Sequence, residues 1–397
     1  MAFLPAALLF SEAYVNCSDD TEMSTSMTDR EEFIRLNLVP EIGSLRIARL
    51  LQAFGSVREI FAASEQAVQH VEGIGPILAR RLIAAFTDPR PAEDELKAAQ
   101  RAGCTVMTID DADYPAVLRE LSDPPIVLYL KGRWLEEDRM AVGIVGSRRA
   151  SAYGLQMAQR LGAELGSRGL TVVSGLARGI DTAAHRGTLR AGGRTIAVLG
   201  NGLSSIYPPE HRELAEEITR HGAVLSEYPM GMPPLAENFP RRNRLISGLS
   251  LGVVIVEAAK RSGALITADC ALEQGKDVFA VPGQADAVSS QGTNQLIKQG
   301  AKLVTSVEDI LEELRVQPVL ADVPEAVVVS QQGPSVSDGD PEAHTLVTFL
   351  RSRDVCDLDT LAVGTGLPAA TCAAALLRLE LAQQVKQLPG KRFARAL

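Results

Sequence analysis

The chain has 397 residues and five scattered cysteines with no C-x-x-C pair, so it is long enough for two to four domains and indicates neither a disulfide framework nor a zinc site. Its net charge of −9 argues at first sight against a nucleic-acid partner, but residues 1–27 and 316–342 carry only acids, with no Lys or Arg. They account for the whole excess, and a neutral body can still concentrate cations locally.

Residues 1–27 read as a disordered extension, or as the product of an upstream start codon with Met27 the natural beginning. Their apolar stretch is short, interrupted by Pro5, and lacks the positive start of a signal peptide. No segment reaches the roughly 18 apolar residues of a spanning helix, so no membrane is expected. The free cysteines fit a reducing, cytoplasmic setting.

From 28 to about 90 the apolar spacing is helical, as in Phe33, Ile34, Leu36 and then Ile47, Leu50, Leu51, Phe54. Two turns interrupt it. The second, Gly73-Ile74-Gly75, has the pattern of a helix-hairpin-helix whose backbone N–H groups face a DNA phosphate, or else is a compact turn between packed helices. The first, Pro40-Glu41-Ile42-Gly43, is half a match. The segment predicts a small all-helical domain of the SAM or helix-hairpin-helix kind.

Over 91–317 short apolar runs alternate with helical patterns. Strands are predicted at 126–130, 141–146, 170–175, 195–200, 223–226, 251–256 and 277–283, with helices over 153–165 and 180–189 between them. That alternation predicts a doubly wound α/β domain with a parallel sheet covered on both faces. Ligands of such a sheet sit beyond the carboxyl ends of its strands, and Gly146, Gly175, Gly200, Gly202 and Gly283 fall on that rim. Arg148, Arg149 and the cluster Arg241-Arg242-Asn243-Arg244 join them, and arginine's planar fork suits phosphate. The bland alternative is a helix start whose arginines pair with nearby Asp and Glu.

Asp181 and His185 fall on one helix face, but no Ser or Cys at motif spacing accompanies them, so a structural network is expected rather than a catalyst. His211 and His221 read as surface histidines. Residues 318–340 are acidic and rich in Pro, Gly and Ser, hence a linker. Over 341–397, helices at 343–350, 358–362 and 368–383 and a strand pair turning at Pro389-Gly390-Lys391 predict a winged helix. Its third helix is mostly Ala and Leu with one base, Arg378, which disfavours base readout and hence a sequence-specific repressor.

Together, Val145-Gly146-Ser147-Arg148, the run from Ser174 to Asp181 with His185, Tyr207-Pro208, Phe239-Pro240-Arg241-Arg242-Asn243-Arg244, Ser262-Gly263-Ala264-Leu265-Ile266-Thr267 and Phe279-Ala280-Val281-Pro282-Gly283 resemble the DprA family of natural transformation in order and spacing. The resemblance covers about 28–315 and extends to the family's optional winged-helix end. Leu203 and His211 depart from residues common in the family.

The resemblance implies an extended Rossmann fold that binds single-stranded DNA without chemistry, shields it, and loads the recombinase RecA during competence. It implies no cofactor and no metal. Carried over by position, the DNA pocket would use Arg148, Ser174, Gly175, Arg194, Phe239, Arg241, Arg242, Asn243 and Arg244. A homodimer would form through the segment 292–303, with Asn294, Leu296, Ile297 and Leu303. The alternative is a Rossmann-type nucleoside monophosphate hydrolase. Such enzymes carry Pro-Gly-Gly-x-Gly-Thr followed by Glu, a glycine run that Glu257-Ala258-Ala259-Lys260-Arg261-Ser262-Gly263 lacks.

Overall fold

The computed structural model describes residues 27–314, 341–351, 356–381, 385–388 and 392–395. The extension expected at 1–27, except for Met27 at the start of the first helix, the linker at 318–340 and the turn at 389–391 lie outside the described residues. The chain divides into two compact units, Met1–Ala321 and Asp322–Leu397.

The first unit opens with six helices, α1 (Met27–Leu38), α2 (Gly43–Phe54), α3 (Val57–Ala62), α4 (Glu65–Gln69), α5 (Pro76–Thr87) and α6 (Arg90–Arg101). Ser56 and Ser64 cap α3 and α4 by accepting the Glu59 and Ala67 N–H groups. The turns before α2 and α5 both pass through left-handed backbone, at Glu41 (φ 69°) and Gly73 (φ 84°). The first hairpin, only half legible in sequence, is therefore a structural counterpart of the second. Ile42 and Ile74 are buried at matching places, as are Leu50 and Leu82. The pairing across the repeat is reciprocal: Arg49 reaches Glu72 at 3.4 Å and Arg81 reaches Glu41 at 3.2 Å. Arg46 donates to both turns, to the Gly73 carbonyl at 2.8 Å and the Glu41 carbonyl at 2.6 Å.

The sheet has nine strands in the order β1-β2-β6-β5-β4-β3-β7-β8-β9. They are β1 (Thr105–Thr108), β2 (Val127–Gly132), β3 (Ala141–Val145), β4 (Thr171–Ser174), β5 (Thr195–Val198), β6 (Gly222–Ser226), β7 (Gly252–Ile255), β8 (Asp277–Ala280) and β9 (Lys302–Leu303). The strands from β6 to β9 pair in parallel, while β1 and β2 add an antiparallel edge. All seven predicted strands are present, and β1 and β9 are the additions. Thr105-Val106-Met107-Thr108 and Lys302-Leu303 are too short and too polar to stand out as apolar runs.

Helices α8 (Ala152–Ser167), α9 (Ile180–Arg190) and α14 (Val307–Leu314) pack on one face, around Val142, Ile144, Val172 and Val254. On the other, α7 (Ala116–Arg119), α11 (Asn238–Gly248), α12 (Gly263–Glu273) and α13 (Gln291–Lys298) cover Val145, Val173, Val253 and Ile255. Helix α10 (Arg212–His221) links β5 to β6. Helical and sheet segments share one core, in which Leu50, Ile60 and Leu82 belong to the same cluster as Tyr129, Ile218 and Val224. The strand order reverses direction between β3 and β7, the switch point at which doubly wound sheets open a crevice.

The second unit is a winged helix: α15 (Pro341–Arg351), β10 (Cys356–Asp357), α16 (Leu358–Thr365), α17 (Ala369–Leu381), β11 (Val385–Leu388) and β12 (Arg392–Arg395), the strands ordered β10-β12-β11. Arg378, the one base of α17, pairs with Glu342 at 3.5 Å. Among the described residues no helix is long and apolar enough to cross a membrane.

Candidate nucleic-acid interface

Helices α8, α11 and α12 all begin at the carboxyl edge of the parallel strands, so the rim collects their first residues. At the switch point Glu257, buried just past β7, accepts the Ser151 N–H at 2.8 Å and fixes the start of α8. A Cβ at Gly154 would come within 2.2 Å of that carboxylate, which is why the first turn of α8 carries glycine.

Two predicted site residues, Arg148 and Phe239, meet in an accessible patch. Phe239, in the first turn of α11, rests on Gly200, where a Cβ would lie 2.9 Å from the ring. The Arg148 guanidinium stands over the Phe239 ring at 5.4 Å from its centroid, and Tyr207 packs beside it at 5.7 Å. Arg148 and Arg241 are exposed and Phe239 half-buried. A cation above a partly open aromatic face gives a strand of nucleic acid both of its handles, phosphate and base. Tyr207 was not among the predicted site residues; its position after the Gly200-x-Gly202 turn was the available signal.

The other residues of the arginine segment do not face solvent, a departure from the expectation of a three-arginine phosphate cluster. Arg242 is 4% exposed. It donates to the Gly175 carbonyl at 2.9 Å and to the Val198 carbonyl, and so ties α11 to the ends of β4 and β5. Burial pulls its pKa down to about 10, still a cation at neutral pH, with Asp181 opposing the shift. Gly175 is needed because a Cβ there would lie 2.6 Å from the guanidinium. Ser174 is buried and donates to the Ile144 carbonyl at 2.6 Å, and Asn243 is buried with its amide 3.3 Å from the Gly263 carbonyl.

Arg244 is a structural node. Its guanidinium donates to Asp123 at 2.8 Å and to Glu227 at 2.6 Å, and Ser44 of the helical segment donates to the same Asp123 oxygen at 2.9 Å. Burial would lower its pKa, yet the two carboxylates hold it above the ordinary value. Lys276 secures the far end of α11 by donating to the carbonyls of Ser247, Gly248 and Ser250.

Arg194 stands apart from all of these, because it precedes β5 and so sits at the amino edge of the sheet, opposite the rim. It grips buried Asp138 with two hydrogen bonds, at 2.9 and 2.8 Å. Asp138 also accepts from Thr171 at 2.7 Å.

Asp181 and His185 are interior. Asp181 accepts the N–H groups of Gly175 and Ala177 at 3.1 and 3.2 Å and holds the β4–α9 turn. His185 is fully buried with Nδ1 2.7 Å from Thr195 Oγ1, and burial lowers its pKa to about 3. Because the Thr195 hydroxyl donates to Val172 O at 2.7 Å, it accepts from His185, which places the imidazole proton on Nδ1. His211, expected at the surface, is buried, with Nδ1 2.9 Å from the Leu176 carbonyl. His221 is exposed.

The four residues expected in self-association lie at the other edge of the sheet. Asn294 clasps Gly283, donating to its carbonyl at 3.0 Å and accepting its N–H at 3.2 Å, and Leu296 is buried. Ile297 is half-buried and Leu303, on edge strand β9, is 43% exposed. With Pro282 and Lys298, the residues Asn294, Ile297 and Leu303 border a shallow groove of about 480 Å³, which Leu296 does not line.

Residues 105–315 match the family model of DNA recombination-mediator protein A, residues 330–391 the DprA winged helix domain, and residues 33–88 the SAM-like helix-hairpin-helix tandem. Protein Smf of Escherichia coli is 44% identical over 283 residues, 71% of this chain and 75% of that one. DNA processing protein DprA of Bacillus subtilis is 45% identical over 55% of this chain and 74% of its own length. The X-ray structure of DNA processing protein A from Streptococcus pneumoniae superposes with a TM-score of 0.64 at 36% identity, covering 72% of this chain and 99% of that one. With the nine-stranded sheet, the helical tandem and the winged helix all in place, the chain belongs to the DNA recombination-mediator protein A (DprA) family.

Proposed function

We propose that this protein binds single-stranded DNA on the carboxyl rim of its sheet, without chemistry, and serves natural transformation as a cytoplasmic homodimer that shields the strand and loads RecA onto it. The observation that carries the binding is the Arg148–Phe239–Tyr207 patch, with Arg241 exposed on the same helix as Phe239. Cations there meet phosphates and the ring meets a base, an arrangement tolerant of sequence because every base has a π-face. The non-enzymatic reading is supported by the position of the titratable pair nearest the rim, since Asp181 and His185 are occupied in the interior. RecA loading and dimerisation rest on family membership, with the groove beside β9 as the face offered to a second copy.

The test is fluorescence anisotropy with single-stranded and duplex DNA of equal length across a salt series, alongside incubation with nucleoside monophosphates. Preferential, sequence-independent and strongly salt-dependent binding of the single strand is expected, with no free base released. Salt-insensitive binding, or release of base, would overturn it.

A further inference from the structure

Beyond the Phe239 patch, the rim carries a second aromatic at its other end. Tyr153, in the first turn of α8, is 50% exposed, and its hydroxyl donates to the Pro282 carbonyl, just past β8, at 3.2 Å. Phe239 rests on Gly200, just past β5. From β5 to β8 the sheet order runs through β4, β3 and β7, four strand spacings of about 4.8 Å, or roughly 19 Å.

The interval between the two rings is basic. Arg148 and Arg149 follow β3, and Lys260 and Arg261 follow β7, all four exposed and none in an ion pair among the described residues. They flank the switch point, where the two halves of the sheet diverge and a ligand meets strand ends and helix N-termini together. The bland account of Tyr153 is a ring that props α8 against the Pro282 turn. That account explains the hydroxyl but not why half the ring is left open at the end of a rim that carries these four exposed cations.

We infer that the single strand crosses the whole rim from Phe239 to Tyr153, perpendicular to the sheet strands, with Tyr153 as a second base-stacking platform and Arg149, Lys260 and Arg261 as phosphate contacts along the path. This rests on the reading that the rim binds single-stranded DNA, and it adds the length and direction of the track. The Tyr153 end lies next to Pro282, which borders the groove beside β9, so a strand leaving the rim there runs toward the edge of the sheet.

A length series of oligothymidylates, from a trinucleotide upward, separates the two rings. Phe239→Leu should weaken binding at every length. Tyr153→Leu should leave the shortest oligomers unaffected and weaken the long ones roughly fivefold or more, the loss of one stacked base. Tyr153→Phe, which keeps the ring and gives up only the Pro282 hydrogen bond, should bind as the unaltered protein does. Iodouracil-substituted long oligomers should photocrosslink to Tyr153 as well as to Phe239.

If Tyr153→Leu binds every length normally while Phe239→Leu fails, the extended track is wrong and the rim site stands. If neither substitution matters although the protein binds single strands, the rim reading itself fails. Equal loss in Tyr153→Phe and Tyr153→Leu, with a lowered melting temperature, would make Tyr153 a structural prop and overturn the proposal.

Discussion

Arg242 donates to the carbonyl oxygen of Gly175 from beneath the rim, at 2.9 Å, so the middle arginine of the basic segment holds the sheet's edge together rather than facing solvent. Replacing it by Ala would strand two buried carbonyls, those of Gly175 and Val198, and leave Asp181 without its nearest cation. We expect Arg242→Ala to destabilise the fold by on the order of 3 kcal/mol, read as a shift in urea midpoint. An unchanged midpoint with lost DNA affinity would return Arg242 to the binding surface.

Arg148 and Phe239 should behave in the opposite way. Arg148→Ala is expected to flatten the salt dependence of single-strand binding by about 0.7 log units per lost phosphate contact, and Phe239→Leu to weaken binding with little change in its salt slope. Neither should move the melting temperature much, because Arg148 is exposed and Leu still covers Gly200. The two slopes, measured on one oligonucleotide, check the division between phosphate and base contacts.

For Arg194 the expected outcome is loss of stability without loss of binding. Arg194→Ala leaves the buried Asp138 carboxyl with only the Thr171 hydroxyl and the Leu135 N–H as partners. A destabilisation of about 2–4 kcal/mol is expected. Affinity per folded molecule should hold, since this side chain lies on the edge opposite Phe239. Impaired binding by a fully folded Arg194→Ala protein would contradict that.

His185 should make the fold acid-sensitive. The folded state keeps its ring neutral down to about pH 3, while the unfolded chain protonates it near 6.5. Its stabilising contribution is therefore complete above about pH 6.5 and declines as pH falls toward 3, by about 1.4 kcal/mol per unit within that window. The urea midpoint followed from about pH 7 to pH 4 should fall more steeply for the unaltered protein than for His185→Gln. Parallel slopes would mean that His185 titrates in the fold as it does in the unfolded chain.

Removing residues 341–397 should leave single-strand binding in place, since the Arg148–Phe239–Tyr207 patch belongs wholly to the first compact unit. Anisotropy on the shortened chain tests this, and a folded product that no longer binds would place part of the DNA site on the winged helix.

The strands were legible because six of the seven predicted ones belong to the buried parallel part of the sheet and appear as continuous apolar runs, four of them ending in glycine. The rim was legible for the same reason, since the glycines mark where helices begin against strand ends. The arginines were not. In Phe239-Pro240-Arg241-Arg242-Asn243-Arg244 three identical side chains sit within four positions, and nothing local distinguishes the exposed Arg241 from the buried Arg242.

By itself, then, the sequence determined the alternation of strands and helices, the glycine-lined edge and the family, because these follow from local patterning and motif order. Only the tertiary structure decided which cation is free. Arg244 is claimed by Asp123 and Glu227, Arg194 by Asp138 and Arg242 by the carbonyls of Gly175 and Val198, partners drawn from other segments of the chain. A guanidinium takes its role from the acceptors folding brings to it, and those lie far away in sequence.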